Sequence, residues 1–248
     1  MGKYNKKMTK KGKARKQNFR KKVMDILTDQ KELKVATFEV LDGFVAAGID
    51  AGDLRQLQPI ISQGTDSDAR IGDSIVLKKV VIRGYYKTST PGFTTAASNA
   101  RIQLRQMIMS QRGVSAQTLF DTPTTFDQNN FLENSQAYTG ATLDYITPVN
   151  KTAFSVKRER KFQLYQPYIT AAPPSGQINT TSQDLNSSVK YFNHVWNCNL
   201  KLNYKTGGSG RSDDWKYFMV NAQNMLDGAN DDTQIRLTYH VTFYYTDA

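Results

Sequence analysis

Residues 235–245 alternate strictly between apolar and polar side chains, and this pattern constrains the fold more than any other stretch. The apolar row consists of Ile235, Leu237, Tyr239, Val241, Phe243 and Tyr245. The opposite row consists of Arg236, Thr238, His240, Thr242 and Tyr244. A period of two is that of a β-strand with one face against a core. The pattern therefore predicts a strand that packs on a second layer of structure.

Other segments share this character, being rich in β-branched and aromatic residues and bounded by turn formers. The predicted strands are 74–87, 101–109, 154–165, 189–205 and 215–221, with 35–41 as a candidate edge strand. In 101–109 the polar row is Arg101, Gln103 and Arg105. In 189–205 the core row includes Trp196, Cys198 and Leu202, so Cys198 is expected to be a small buried hydrophobe.

The connections between these strands are long and polar, and helical patterns are few. An amphipathic helix is predicted over 18–34, and two short helical turns over 115–120 and 128–134. The remaining loops cover 42–59, 110–150, 166–187 and 206–214. Strands separated by such loops favour a two-sheet antiparallel sandwich whose long loops lie at one end and carry the function.

The first 22 residues differ in composition from the rest of the chain. They contain no Asp or Glu and eleven cations, which are Lys3, Lys6, Lys7, Lys10, Lys11, Lys13, Arg15, Lys16, Arg20, Lys21 and Lys22. The whole chain has a net charge of +11, so residues 23–248 are formally neutral. A tract of like charges with few hydrophobes does not fold alone, and nucleic acid is the expected polyanion. For an isolated basic run, nucleic-acid binding and nuclear import are equally good explanations, and a solubility tail is a third. The neutral, strand-rich body behind this tract favours binding.

No catalytic constellation emerges from the sequence, so the chain is not expected to be an enzyme or to need a cofactor. There are two histidines, His194 and His240, and they lack the clustered ligand pattern of a metal site. The single Cys198 allows no intrachain disulfide. No stretch has the apolar length of a membrane span, and the basic tract is not followed by the apolar run of a secretory signal.

One segment carries a more specific signal. Residues 61–84 run from a Gln63-Gly64 turn through a polar spacer to Arg70-Ile71-Gly72-Asp73 and a β-branched strand. This segment resembles capsid proteins of circular Rep-encoding single-stranded DNA viruses, the circovirus-like group. The Lys- and Arg-bearing strand at 151–165 and the C-terminal strand ending Tyr-Tyr-Thr-Asp are similar to that family as well.

The resemblance implies a single eight-stranded antiparallel jelly roll, with the 61–84 motif opening its first strand. We therefore expect a basic arm at 1–22, an amphipathic helix and linker or edge strand at 23–60, and a jelly-roll shell domain at 61–248.

The resemblance also implies self-assembly into an icosahedral shell of about 60 copies. The shell would package single-stranded DNA through the eleven arm residues. Further inward-facing candidates are Lys78, Lys79, Arg83, Arg101, Arg105, Lys157, Arg158, Arg160 and Lys161.

Virion and host nucleus are the expected locations, and the Lys run also suits a nuclear import receptor. Two alternatives remain open: an RNA-packaging coat protein of the same fold, and a non-viral, lectin-like jelly-roll module with a basic tail.

Overall fold

The computed structural model describes residues 32–46, 48–66, 68–89, 101–165, 189–205, 210–225 and 234–248, together with Phe19 and Lys22. Most of these residues lie in eight strands. The strands are β1 (Lys34–Val45), β2 (Leu54–Arg55), β3 (Ser74–Ser89), β4 (Arg101–Gln111), β5 (Phe154–Tyr165), β6 (Val189–Asn203), β7 (Phe218–Met225) and β8 (Gln234–Asp247).

The helical elements of the described residues are short. One α-helix, α1 (Ala116–Asp121), follows β4, and Ser115 caps it by accepting a hydrogen bond from the Thr118 amide. Four 3₁₀ turns occupy Ala51–Asp53, Pro123–Thr125, Gln128–Asn130 and Thr142–Tyr145. No helix among the described residues has the length and apolar character needed to cross a membrane.

The eight strands form two four-stranded antiparallel sheets. The first sheet has the order β1-β8-β3-β6 and the second has the order β2-β7-β4-β5. The strand pairing is that of one long antiparallel hairpin rolled up into two sheets. The hairpin has β4 and β5 at its tip, followed by the pairs β3·β6, β2·β7 and β1·β8. This arrangement is a jelly roll, and it confirms the predicted fold class.

The sandwich begins earlier in the chain than the predicted domain boundary at residue 61. β1 pairs with β8 from Lys34↔Tyr245 to Val45↔Ile235, interrupted by a bulge between Val40 and Gly43. β2 is only two residues long and pairs with β7. The strand at Ser74 is therefore the third of the jelly roll, not the first. The predicted edge strand at 35–41 is confirmed, since β1 lies at an edge of the first sheet.

The main core lies between the two sheets and follows the predicted periodicity. All six apolar residues of β8 are buried. Trp196 and Leu202 of β6 are buried as well, and so is Tyr204, directly after β6. The ring centroids of Trp196 and Trp215 are 6.5 Å apart in a stacked arrangement. Cys198 packs against this core but remains partly exposed.

The loop between β4 and β5 forms a third layer over the second sheet. Its residues Phe126, Phe131 and Tyr138 are buried together with Met107 and Phe218, which face away from the main core. The prediction that the long loops work at one end is wrong for this loop, because its aromatic residues cover a sheet face. The predicted helical turns at 115–120 and 128–134 correspond to α1 and to the turn at Gln128–Asn130.

Candidate nucleic-acid interface

The arm residues predicted to bind nucleic acid lie almost entirely outside the described residues. This applies to Lys3, Lys6, Lys7, Lys10, Lys11, Lys13, Arg15, Lys16, Arg20 and Lys21. Lys22 is described; it is helical and exposed. Phe19 is also helical, with 68% of its surface exposed. The other residues of the predicted 18–34 helix lie outside the described residues until the description resumes at Glu32. Lys34, the last residue of the predicted helix, belongs to β1.

The described part of the chain contains a second concentration of positive charge, on the outer face of the first sheet. We use this term for the side chains of β1, β8, β3 and β6 that alternate with the core row. Its cations are Lys78, Lys79, Arg83, Lys87, Lys201 and Arg236. Its acids are Glu39 and Asp42, and Asp42 is paired with Lys87 at 3.3 Å. The face is therefore positive, although the body as a whole is formally neutral.

Aromatic side chains lie between these cations. The ring centroids of Tyr85 and Tyr191 are 5.8 Å apart across the β3·β6 pair. The Lys79 ammonium lies 5.4 Å from the centre of the Tyr244 ring, and the Arg236 guanidinium lies 5.9 Å from that of Phe44. Cations interleaved with aromatic rings are typical of surfaces that bind single-stranded nucleic acid.

A shallow depression of about 430 Å³ crosses this face. One row of opposed residues runs along it from Glu39 through His240 and Arg83 to Asn193, one residue from each strand. Tyr85 and Tyr191 form the next row on the β3 and β6 side. The four strands hold this row at sheet spacing, so the depression spans roughly 14 Å from β1 to β6.

The basic residues of β5 continue the positive charge around the edge of the sandwich. Arg158 donates from Nη2 to the carbonyl oxygen of Val195 at 2.8 Å, and Arg160 donates to that of Asn193 at 3.2 Å. Both carbonyls belong to β6, the edge strand of the first sheet. The two arginines therefore cap an open strand edge, which is a common protection against unwanted pairing. Both side chains remain exposed.

Lys157 and Lys161 are also exposed on β5. Lys161 lies 4.9 Å from the centre of the Tyr145 ring and 3.8 Å from Glu159. Of the candidate cations, Lys78, Lys79 and Arg83 thus lie on the outer face of the first sheet, and the β5 residues lie beside it. Arg101 is placed in β4 by its backbone, and its side chain is outside the description.

Arg105 is not a surface cation, which corrects the sequence-based prediction. Its side chain is 1% exposed and lies under the β4–β5 loop. Nε donates to Glu159 at 2.9 Å, and Nη1 donates to the carbonyl oxygens of Asp144 and Thr147 at 2.7 and 2.6 Å. Its charge is neutralised inside the fold, so it holds the loop and has no role at a nucleic-acid surface.

His194 is buried in the core, and Cys198 packs against the core while remaining partly exposed. Nε2 of His194 lies 2.7 Å from Oε1 of Gln106, and Cys198 donates weakly to the carbonyl oxygen of Leu77 at 3.5 Å. Burial lowers the pKa of His194 to about 4 and raises that of the Cys198 thiol, with Arg160 and Arg158 adding to the effect on His194. Among the described residues no cluster of His, Cys, Asp and Glu could hold a metal ion.

Sequence reasoning missed the aromatic part of this surface. The candidates for the interface were all Lys and Arg, and neither Tyr85 nor Tyr191 was among them. The available signal was their position: both lie on the solvent row of a strand, among Arg, Lys and Asn.

No family model matches the chain, and a search of curated proteins found no match to it.

Proposed function

We propose that this chain is a viral capsid protein that self-assembles into a small icosahedral shell. In this proposal, the shell packages single-stranded DNA through the Lys- and Arg-rich residues 1–22. The observation that carries the proposal is an asymmetry of the jelly roll. The second sheet is covered on its outer side by the β4–β5 loop, while the first sheet presents a cationic, aromatic face. Such a subunit has one side suited to cargo and leaves other surfaces for tiling.

Self-association is supported by exposed apolar side chains on the loops. Leu143 and Ile146 are each 65% exposed in one turn of the β4–β5 loop. Ile60 and Ile71, in the segment before β3, are 57% and 62% exposed. Groups of exposed apolar residues often mark protein–protein contacts. About 60 copies in closed symmetry would bury them in heterologous contacts.

Cargo binding is supported by charge. The eleven cations of residues 1–22 carry the whole net charge of the chain. Contacts between a Lys-rich tract and phosphates supply affinity without reading sequence, which suits packaging of a whole genome. The virion, and the host nucleus during assembly, are the compartments that go with this function.

The alternatives make different predictions about the same particle. An RNA-packaging coat protein would form shells whose contents are destroyed by ribonuclease after disruption. A lectin-like module would stay monomeric or form small oligomers in a sizing column. The DNA proposal requires contents that resist ribonuclease and are digested by a nuclease specific for single-stranded DNA.

The test uses purified full-length protein and two charge-matched double variants. Lys10→Gln/Lys11→Gln removes two charges from the arm, and Lys151→Gln/Lys216→Gln removes two from exposed loop positions. We expect the arm variant to form particles that retain less nuclease-protected DNA, while the loop variant retains the wild-type amount. Equal retention by both variants, and by a chain lacking residues 2–22, would refute packaging through the arm.

A further inference from the structure

We propose that the outer face of the first sheet is a base-stacking site for single-stranded nucleic acid, with Tyr191 as the stacking ring and Arg83 as a phosphate ligand. The proposal rests on the cargo assigned above and adds a specific site to it. Charge alone would attract any polyanion, whereas a stacking ring selects one with exposed bases.

Tyr191 is suited to this role by its exposure and its support. Its residue surface is 76% exposed, the highest value among the large apolar and aromatic residues on this sheet. The Tyr85 ring lies behind it at 5.8 Å, with an angle of 54° between the ring planes. Because a base needs about 3.5 Å on each side, a gap of this size and tilt cannot admit one between the rings. The base must therefore stack on the free side of Tyr191, with Tyr85 as its support.

Two cations flank Tyr85 on this face of β3: Lys87, which is paired with Asp42 at 3.3 Å, and Arg83. Arg83 lies two residues from Tyr85 on the same face and is exposed. Two residues along a strand span about 7 Å, so the guanidinium can reach a phosphate beside a base held at Tyr191. Asn193, opposite Arg83 on β6, adds amide donors and an acceptor to the same row.

Other positions on the face extend the path of the strand. Lys79 lies over Tyr244, and Arg236 lies over Phe44. On β3 itself, Tyr85 lies between Lys87 and Arg83, whereas Val81 lies between Arg83 and Lys79. The face therefore combines cations with aromatic rings, as surfaces for sequence-tolerant binding to a single strand do.

Charge argues against a two-fold contact with a second copy of the chain at this face. In a two-fold contact the same face of both copies would meet, so that the cations of one copy would face those of the other. Six cations would then face six cations, with Glu39 and Asp42 as the acids and Asp42 already paired with Lys87. A sulfated polymer would satisfy the cations but would leave no role for Tyr191, so the two polyanions can be separated by experiment.

The experiment measures binding of a labelled twelve-nucleotide thymidine oligomer and of an abasic oligomer with the same backbone. It uses the full chain as dissociated subunits, over a range of salt concentrations. Tyr191→Ala is compared with wild type and with Tyr145→Ala. Tyr145 serves as the control because it is a partly exposed tyrosine beside a lysine, Lys161, but lies over the second sheet.

We expect Tyr191→Ala to bind the thymidine oligomer about tenfold more weakly. Its salt dependence should equal that of wild type, because no charge is lost. The abasic oligomer should bind wild type and Tyr191→Ala equally, and Tyr145→Ala should match wild type throughout. Arg83→Gln should instead make the slope of log K against log salt shallower by about 0.7.

Three results would overturn the site: an unchanged affinity of Tyr191→Ala for the thymidine oligomer, an equal loss with the abasic oligomer, or the same loss in Tyr145→Ala. Loss of particle assembly in Tyr191→Ala with unchanged oligomer binding would assign the face to subunit contacts and also overturn it. The shell proposal fails separately, if no closed particles form while the base-dependent effect of Tyr191 persists.

Discussion

Nε2 of His194 lies 2.7 Å from Oε1 of Gln106, and this contact joins the two sheets through the middle of the core. Gln106 in turn donates from Nε2 to the Tyr86 hydroxyl at 2.5 Å, and Tyr86 donates to Asn221 at 2.6 Å. Because the Gln106 oxygen accepts, Nε2 of His194 carries the proton. No described residue bonds to Nδ1, so a second proton there would be buried without a partner.

The stability of the fold should therefore fall as the pH drops through the range in which only the unfolded chain binds this proton. The pKa of His194 is lowered to about 4 from an ordinary value of 6.5. From about pH 7 to pH 4 the unfolded state takes up the proton and the folded state does not. The free energy of unfolding should decrease by about 3 kcal/mol over this range from His194 alone.

Chemical denaturation at a series of pH values measures this effect. His194→Gln retains a donor toward Gln106 and removes the titration, so its stability should depend less on pH than that of wild type. His240→Gln removes the other histidine, which is exposed on β8, and serves as the matched control. Parallel curves for His194→Gln and wild type between pH 7 and 4 would contradict this role of His194.

Replacing Arg105 should destabilise the fold without affecting nucleic-acid binding. Arg105→Met leaves Glu159 and the carbonyl oxygens of Asp144 and Thr147 without their donor. The expected loss is about 3 kcal/mol in the free energy of unfolding. Arg83→Met, on the outer face of the first sheet, should change stability by less than about 0.5 kcal/mol. Similar stabilities of the two variants would show that Arg105 does not hold the loop.

Gly84 should not tolerate a side chain. A Cβ atom at this position would meet the Thr238 carbonyl oxygen and would lie 2.6 Å from Cζ of Phe192. Gly84→Ala should cost about 2 kcal/mol, because both neighbours are fixed by the sheet and the core. The matched control is Gly43→Ala in β1, where the nearest atoms are 3.5 Å away, an ordinary contact. Thermal unfolding compares the two; equal melting temperatures would show that the sheet yields at Gly84.

Binding of single-stranded DNA to the full chain should depend steeply on salt. If all eleven cations of residues 1–22 contact phosphates, log K against log salt should have a slope near −8, from about −0.7 per contact. Each Lys→Gln replacement in the arm should make the slope shallower by about 0.7. A slope much closer to zero would mean that only part of the arm binds.

The strand pattern of the fold could be predicted closely from the sequence because each sheet buries one clear row. β5 covers the predicted residues 154–165, and the buried row of β8 is the one expected. β2 could not be predicted, since two residues carry no periodicity and lie among Gly and Pro. Its position depends on pairing with β7, which is a tertiary contact.

Arg105 shows why the candidate site was harder to predict. Alternation in β4 puts it in one row with Arg101 and Gln103, a pattern that indicates a solvent face. That face is covered by a loop about 40 residues away in sequence, whose carbonyl oxygens receive the guanidinium. Conversely, Tyr85 and Tyr191 come together only because β3 and β6 pair across more than 100 residues of chain.

Negative-stain electron microscopy of the purified full-length protein, followed by nuclease digestion of its contents, would show whether the chain forms a shell around single-stranded DNA. We expect closed particles of one diameter that protect single-stranded DNA until the shell is disrupted. Protein that remains as monomers or small oligomers at every ionic strength, or particles that protect no DNA, would contradict the proposed function.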